Sequence, residues 1–140
     1  MSVDENKVLV HRLGEALNSG QVDAGIELFA EEFLYNGQRI GRQELIAIRA
    51  PIWAALPDIR WTIEEMVAEK DSVATFWTVQ GTHEAEFFHP ALGRAPASGK
   101  AVRSTYMVIH RIADGRIVEA RDVSDRLTLL RQLGAISLPR

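Results

Sequence analysis

Cysteine is missing from all 140 residues. That excludes disulfides, thiolate metal ligands and a cysteine nucleophile. It fits a reducing compartment, and a cytoplasmic location is the expectation. The opening Met1-Ser2-Val3-Asp4-Glu5-Asn6-Lys7 is acidic and polar, unlike a secretion leader. No apolar run approaches the ~20 residues that cross a bilayer. There is no basic excess either. The 16 Lys and Arg are scattered among 19 acidic residues, for a net charge of -3, so no nucleic-acid partner is expected. The 4 histidines are dispersed and lack His-Glu-x-x-His spacing, so no metal site is expected. Repeats, low-complexity tracts and linkers are absent.

What remains is 46% hydrophobic and 25% charged, the balance of a globular chain. The length suits one domain over residues 1–140. Ser2 and Glu5 have capping-box spacing. Val8, Leu9, Leu13, Ala16 and Leu17 follow at the helical period, and Gly20 is the stop. Asp23 caps a short second helix, Ala24 to Ala30. Phe33-Leu34-Tyr35 reads as a short strand ending at Gly37. A third helix runs from about Arg42 to Leu56, with Leu45, Ile48, Ile52 and Leu56 on one stripe. Pro51 predicts a kink or break in it.

From Ile59 the period becomes two. Strands are expected over Ile59–Ala68, Ser72–Glu84, Ala101–Ile112 and Arg116–Ser124. Lys70-Asp71 turns the first pair, and Asp114-Gly115 makes a tight hairpin of the last. Phe87–Gly99, with two prolines and two glycines, reads as a loop. Leu127, Leu130 and Leu133 mark a terminal helix ending at Gly134. Helices followed by long antiparallel strands predict an α+β fold. Helices across the mouth of a curved sheet leave an apolar pocket.

Several stretches, in order and at spacing, carry a resemblance. They are Glu15-Ala16-Leu17-Asn18, Val22-Asp23-Ala24 and Glu27-Leu28-Phe29-Ala30, then Leu56-Pro57-Asp58, Val67-Ala68-Glu69, Trp77-Thr78 and Gly81-Thr82-His83. Asp114-Gly115-Arg116-Ile117-Val118-Glu119, Asp125 and Leu129-Leu130-Arg131-Gln132-Leu133-Gly134 complete the set. Together they resemble the SnoaL-like branch of the nuclear-transport-factor-2-like superfamily, over nearly the whole chain. The resemblance implies a cone-shaped, curved antiparallel sheet with N-terminal helices covering one face, a cystatin-like α+β barrel. It also implies polyketide cyclase or isomerase chemistry, aldol-type and without cofactor, and pairing through the sheets as a homodimer. The family's pocket aspartate, a general acid/base, matches Asp125. Three positions depart from the family: Arg121 replaces a frequent tryptophan, Asn36 a frequent histidine, and Tyr106 a frequent small residue.

Asp125 is therefore the leading catalytic candidate. A carboxylate facing an apolar cavity has its pKa raised and can exchange a proton with carbon. Its plainer role is to sit at the N-terminus of the last helix, where the helix dipole favours a negative charge. His83 shares strand parity with Trp77, Val79 and Gly81, and can trade a proton near neutral pH if that face is concave. Otherwise it is a strand-end histidine. His89 and His110 read as surface or loop residues. Arg121 offers a guanidinium to a carboxylate or enolate, or simply pairs with Glu119. Tyr35, Asn36 and Tyr106 are candidate donors to a substrate oxygen. Trp53, Trp61 and Trp77 supply apolar wall, with at least one in plain core. Trp61, Ile63, Val102, Tyr106 and Val108 cannot all line one pocket, which suggests a second apolar face and a partner copy.

The leading expectation is a small enzyme transferring protons on a hydrophobic carbonyl substrate. Three alternatives stand beside it: a non-catalytic small-molecule binder, an epoxide hydrolase built from Arg103, Arg121, Asp122, Tyr35 and Asn36, and a structural dimer with a filled interior.

Overall fold

A computed structural model describes residues 2–137. Helix α1 (Val3–Asn18) begins at the Ser2–Glu5 capping box, formed in both directions. Helix α2 (Val22–Ile26) ends early, because Phe29 already belongs to β1 (Phe29–Tyr35). Strand β1 turns through Asn36-Gly37 into β2 (Gln38–Gly41). Both turn residues have positive φ, 50° and 86°. That backbone suits a tight hairpin, and Asn and Gly tolerate it best. Helix α3 (Arg42–Ala55) runs through Pro51 without breaking.

The long strands are β3 (Arg60–Glu69), β4 (Ser72–Thr82), β7 (Ala101–Ala113) and β8 (Arg116–Ser124). Between β4 and β7, the segment expected to be a loop holds a small hairpin of β5 (Phe87–His89) and β6 (Gly93–Ala95). Helix α4 (Arg126–Leu133) closes at Gly134, whose φ is 81°.

The main sheet has the order β2-β1-β8-β7-β4-β3. The α+β architecture is the expected one, with two corrections. β1 lies parallel to β8, so the sheet is mixed rather than wholly antiparallel. Its ends, β2 and β3, do not pair with each other, so the curved sheet is not closed into a barrel.

Two bulges decide which side chains turn inward. In β3 the register slips between Ile63 and Glu65. Trp61 is buried before the slip, whereas afterwards Met66 and Ala68 pack inward and Val67 stands exposed. In β8 the register slips opposite Arg111 and Ile112, with Val118 as the extra residue. One extra residue re-aims all side chains beyond it. Ile117 is buried before it, then Ala120, with Asp122 on the same face. Glu119, Arg121 and Val123 alternate to the other side.

Strand β7 alternates without interruption. Val102, Ser104, Tyr106, Val108, His110 and Ile112 are all buried. Trp61, Tyr106 and Val108 line one hollow, whereas Val102 packs into a second core cluster with Leu130 and Leu133. Exposed apolar residues of the outer face include Met107, Ile109 and Val123, along with Val67 on β3. Helix α1 lies across β3 and β4, with Gly14 over the Trp77 ring. Trp77 stacks on Tyr106, and Trp61 meets both rings edge-on.

Candidate active site

The sheet and helices α1 to α3 enclose an apolar hollow with polar groups at one wall. Leu13, Ile26, Phe29 and Trp53 give it apolar surface, while Tyr35, Arg49, Tyr106, His110 and Asp122 supply the chemistry. Asp122 is its centre. Its side chain is only 11% exposed, and its carboxylate is gripped from three sides. The Tyr35 hydroxyl and Arg49 Nη2 each donate to Oδ2 at 2.9 Å. Asn36 Nδ2 donates to Oδ1 at 3.0 Å. Asn36 Oδ1 in turn accepts from the Asp122 backbone N–H at 2.8 Å. Asn36 thus fixes both ends of the aspartate, held in place by its turn and by its own N–H to Ala120 O.

The ionisable neighbours are tuned by this arrangement. Burial pushes the Tyr106 phenol up to about 12, although Arg49 opposes it. Burial likewise raises Tyr35, against Arg49 and with Asp122. Both phenols therefore keep their protons at neutral pH, and Tyr35 donates its own to Asp122. Burial works against the charge of Arg49, but Tyr106, Tyr35 and Asp122 together outweigh it and its pKa rises. The guanidinium also lies 5.5 Å from the Tyr106 ring centre, in cation–π range. His110 is pushed down to about 4, by burial and then by Arg49. It is a neutral imidazole with Nδ1 unpartnered.

Several expected positions are corrected. Asp125 does not reach the hollow. It is exposed, caps α4 by accepting from the Thr128 N–H at 3.2 Å, and has its pKa lowered by that hydrogen bonding rather than raised. The β8 bulge gives the inner face to Asp122. Arg121 points outward for the same reason and donates to Glu119 at 3.1 Å. His83 is fully buried away from the hollow, with Nδ1 3.0 Å from Ser98 Oγ. Its backbone carbonyl accepts from Ser98 and Gly99, so it fastens the loop before β7. Trp77 is core, covered by Gly14, Trp61 and Tyr106. His110 is no surface residue. Tyr35, Trp53 and Tyr106 line the hollow, whereas Asn36 reaches Asp122 from the outer side.

From the sequence, Arg49 and His110 are not expected in the pocket, and Asp122 enters only as a piece of the epoxide-hydrolase alternative. The signal for Arg49 was the i, i+4, i+8 series Leu45, Arg49, Trp53, a neighbour of the stripe chosen. For His110 it was the unbroken alternation of β7. For Asp122 the bulge hid it.

The profile of the SnoaL-like polyketide cyclase family matches residues 7–133. Among solved structures, the chain is similar to AclR of Streptomyces galilaeus, described as a candidate hydroxylase, at 25% identity and TM-score 0.84, covering 97% of this chain and 100% of that one. It is similar to IdmH of Streptomyces antibioticus, a candidate polyketide cyclase, at 30% identity and TM-score 0.79, covering 92% and 98%. TsrD of Streptomyces laurentii matches at 25% identity and TM-score 0.80, covering 97% and 99%. No curated protein sequence matches. With nearly its whole length matched by the family profile, the chain belongs to the SnoaL-like polyketide cyclase family.

Proposed function

We propose that this protein is a cyclase-type enzyme that moves protons at carbon on a hydrophobic carbonyl compound, with Asp122 as the acid/base. The observation that carries this reading is a carboxylate set in the wall of an otherwise apolar hollow and held by Tyr35, Asn36 and Arg49. Those three donors fix the position of the carboxylate in the wall of the hollow. A weak base suffices where two carbonyls flank the carbon. Asp122 takes the proton from that carbon, and the electron pair moves onto the carbonyl oxygen. Arg49 spends one N–H on Asp122, and its other donors serve the enolate oxygen. The enolate carbon then attacks a second carbonyl, the ring bond forms, and the new alkoxide recovers the proton from Asp122.

The test is ring closure of an aryl-substituted β-keto ester that carries a further ketone placed to form a six-membered ring, followed by ultraviolet absorbance. Asp122→Asn is expected to lower turnover by about 10²–10⁴-fold. Asp125→Asn is expected to leave it unchanged. Undiminished turnover in Asp122→Asn removes the proposal.

We also infer that two copies pair through the outer sheet face, where Met107, Ile109 and Val123 are 49%, 48% and 72% exposed. Sedimentation is expected to find a dimer that Val123→Asp dissociates. A monomer at every concentration overturns this.

A further inference from the structure

Most polar groups around the hollow are engaged with one another. Tyr35, Asn36 and Arg49 all bond Asp122. Tyr106 stacks on Trp77 and borders a second hollow as well. His110 is different, and the mechanism above leaves it idle. It lines the hollow and is 2% exposed. Its Nδ1 is sealed off and has no partner among the described residues. Nε2 has no protein partner either, but it is not sealed, so it is the nitrogen that meets the hollow. A neutral imidazole carries one N–H and one bare nitrogen. A sealed, orphaned N–H is rarer than an under-used acceptor. The bare nitrogen is therefore Nδ1, and the proton sits on Nε2, open to a ligand oxygen.

Strand register places this donor. His110 pairs with Ala120, and Val108 pairs with Asp122. His110 and Asp122 are thus diagonal neighbours on the inner face of β7 and β8, with backbones roughly 7–8 Å apart. Side chains reaching inward from these positions flank one space. A substrate carbon held against Asp122 can have a neighbouring carbonyl oxygen against His110. Charge favours the same division of roles. Burial first, and Arg49 second, push the imidazole down to about 4. At neutral pH it donates a hydrogen bond as an uncharged group and does not compete with Asp122 for the substrate's proton.

We propose that His110 is a second catalytic residue of this hollow, its Nε2–H donating to the carbonyl oxygen that the enolate carbon attacks. As the carbon–carbon bond forms, the carbonyl π pair moves onto that oxygen. His110 holds the alkoxide until Asp122 returns the proton, and the imidazole keeps its own proton throughout. A fixed donor aimed at a developing oxyanion acts on the barrier more than on binding. The proposal rests on the proposed function and adds the group that receives its alkoxide.

Three measurements test it. In the native protein with ¹⁵N-labelled histidine, magnetic resonance that correlates ring protons with ring nitrogens is expected to find His110 neutral at about pH 7 and protonated on Nε2. In ring closure of the keto ester used above, His110→Leu is expected to lower kcat by about 10²–10³-fold and change KM little. His110→Gln, whose amide N–H can reach the place of Nε2–H, is expected to recover about tenfold or more of that loss. The third measurement uses the aryl β-keto ester without the further ketone, which can enolise but not close. In D₂O, deuterium uptake at its acidic carbon above the uncatalysed rate reports the Asp122 step alone. His110→Leu is expected to retain that uptake and Asp122→Asn to lose it. The proposal is overturned by a proton on Nδ1, by native ring closure in His110→Leu, by a His110→Gln no faster than His110→Leu, or by His110→Leu losing deuterium uptake as fully as ring closure, which marks a structural role. Uptake that persists in Asp122→Asn removes the Asp122 mechanism and leaves the donor role of His110 to stand on ring closure.

Discussion

Arg49 on α3 and Asp122 on β8 lie 73 residues apart in sequence and meet at 2.9 Å in a wall that is otherwise mostly apolar. Their side chains are 24% and 11% exposed, so water screens the pair little. Removing one partner leaves the other charged and poorly solvated. Arg49→Met is therefore expected to destabilise the fold toward the lower end of the roughly 3–5 kcal/mol typical of broken buried pairs. Arg49→Met with Asp122→Asn is expected to recover part of that loss. Urea unfolding of both single variants and the double variant measures it, and losses that simply add would mean the pair is not coupled.

Asp125 separates helix capping from chemistry. Its carboxylate accepts from Thr128 at the start of α4 and faces solvent. Asp125→Ala is expected to lower the melting temperature slightly and leave turnover intact. A large loss of turnover with an unchanged melting temperature would return the catalytic role to this residue.

Local rules made most of the elements legible. The Ser2–Glu5 box, the Asp114-Gly115 hairpin and the Gly134 stop each depend on a few adjacent residues, and the structure has all three. The site was less legible, because it depends on how strands pair. Period-two reading carried past Glu64 and Val118 assigns the wrong face to each residue beyond them, and the bulges are visible only against β4 and β7. That is why Asp125 and Arg121 stood where Asp122 belongs. Strand β2 was missed for a different reason. Gln38-Arg39-Ile40-Gly41 is too short for periodicity, and its pairing with β1 makes it a strand.

Gly14 tests how firmly the core holds Trp77. A Cβ there would lie 3.1 Å from Trp77 Cη2 and 3.2 Å from Cζ3. Alanine favours the helix by roughly 0.8–1 kcal/mol over glycine. Overpacking a filled core costs about 1–3 kcal/mol. Trp77 has no exposed surface and is held by Trp61 and Tyr106, so it has little room to yield. Gly14→Ala is expected to be net destabilising by denaturant unfolding. A gain in stability would show that the ring shifts freely.

His110 gives stability a pH dependence of definite sign. Its imidazole is pushed down to about 4 by burial first and the Arg49 guanidinium second, with Asp122 pulling the other way. In the unfolded chain it titrates near its ordinary ~6.5. Between those values the unfolded state binds a proton that the folded state refuses, so stability rises with pH across that window. The contribution is fully present above about pH 6.5 and is lost as pH falls toward 4, on the order of 3 kcal/mol in all. Asp58 and Glu119 have lowered pKa values and lose their stabilisation as well, but only near and below the ordinary carboxylate range. The upper part of the window therefore isolates the histidine. Urea unfolding between neutral pH and about pH 5 is expected to show falling stability in the native protein and a flatter profile in His110→Leu, which keeps an apolar side chain against Phe29. Equal slopes in the two proteins would mean that His110 takes up its proton while still folded.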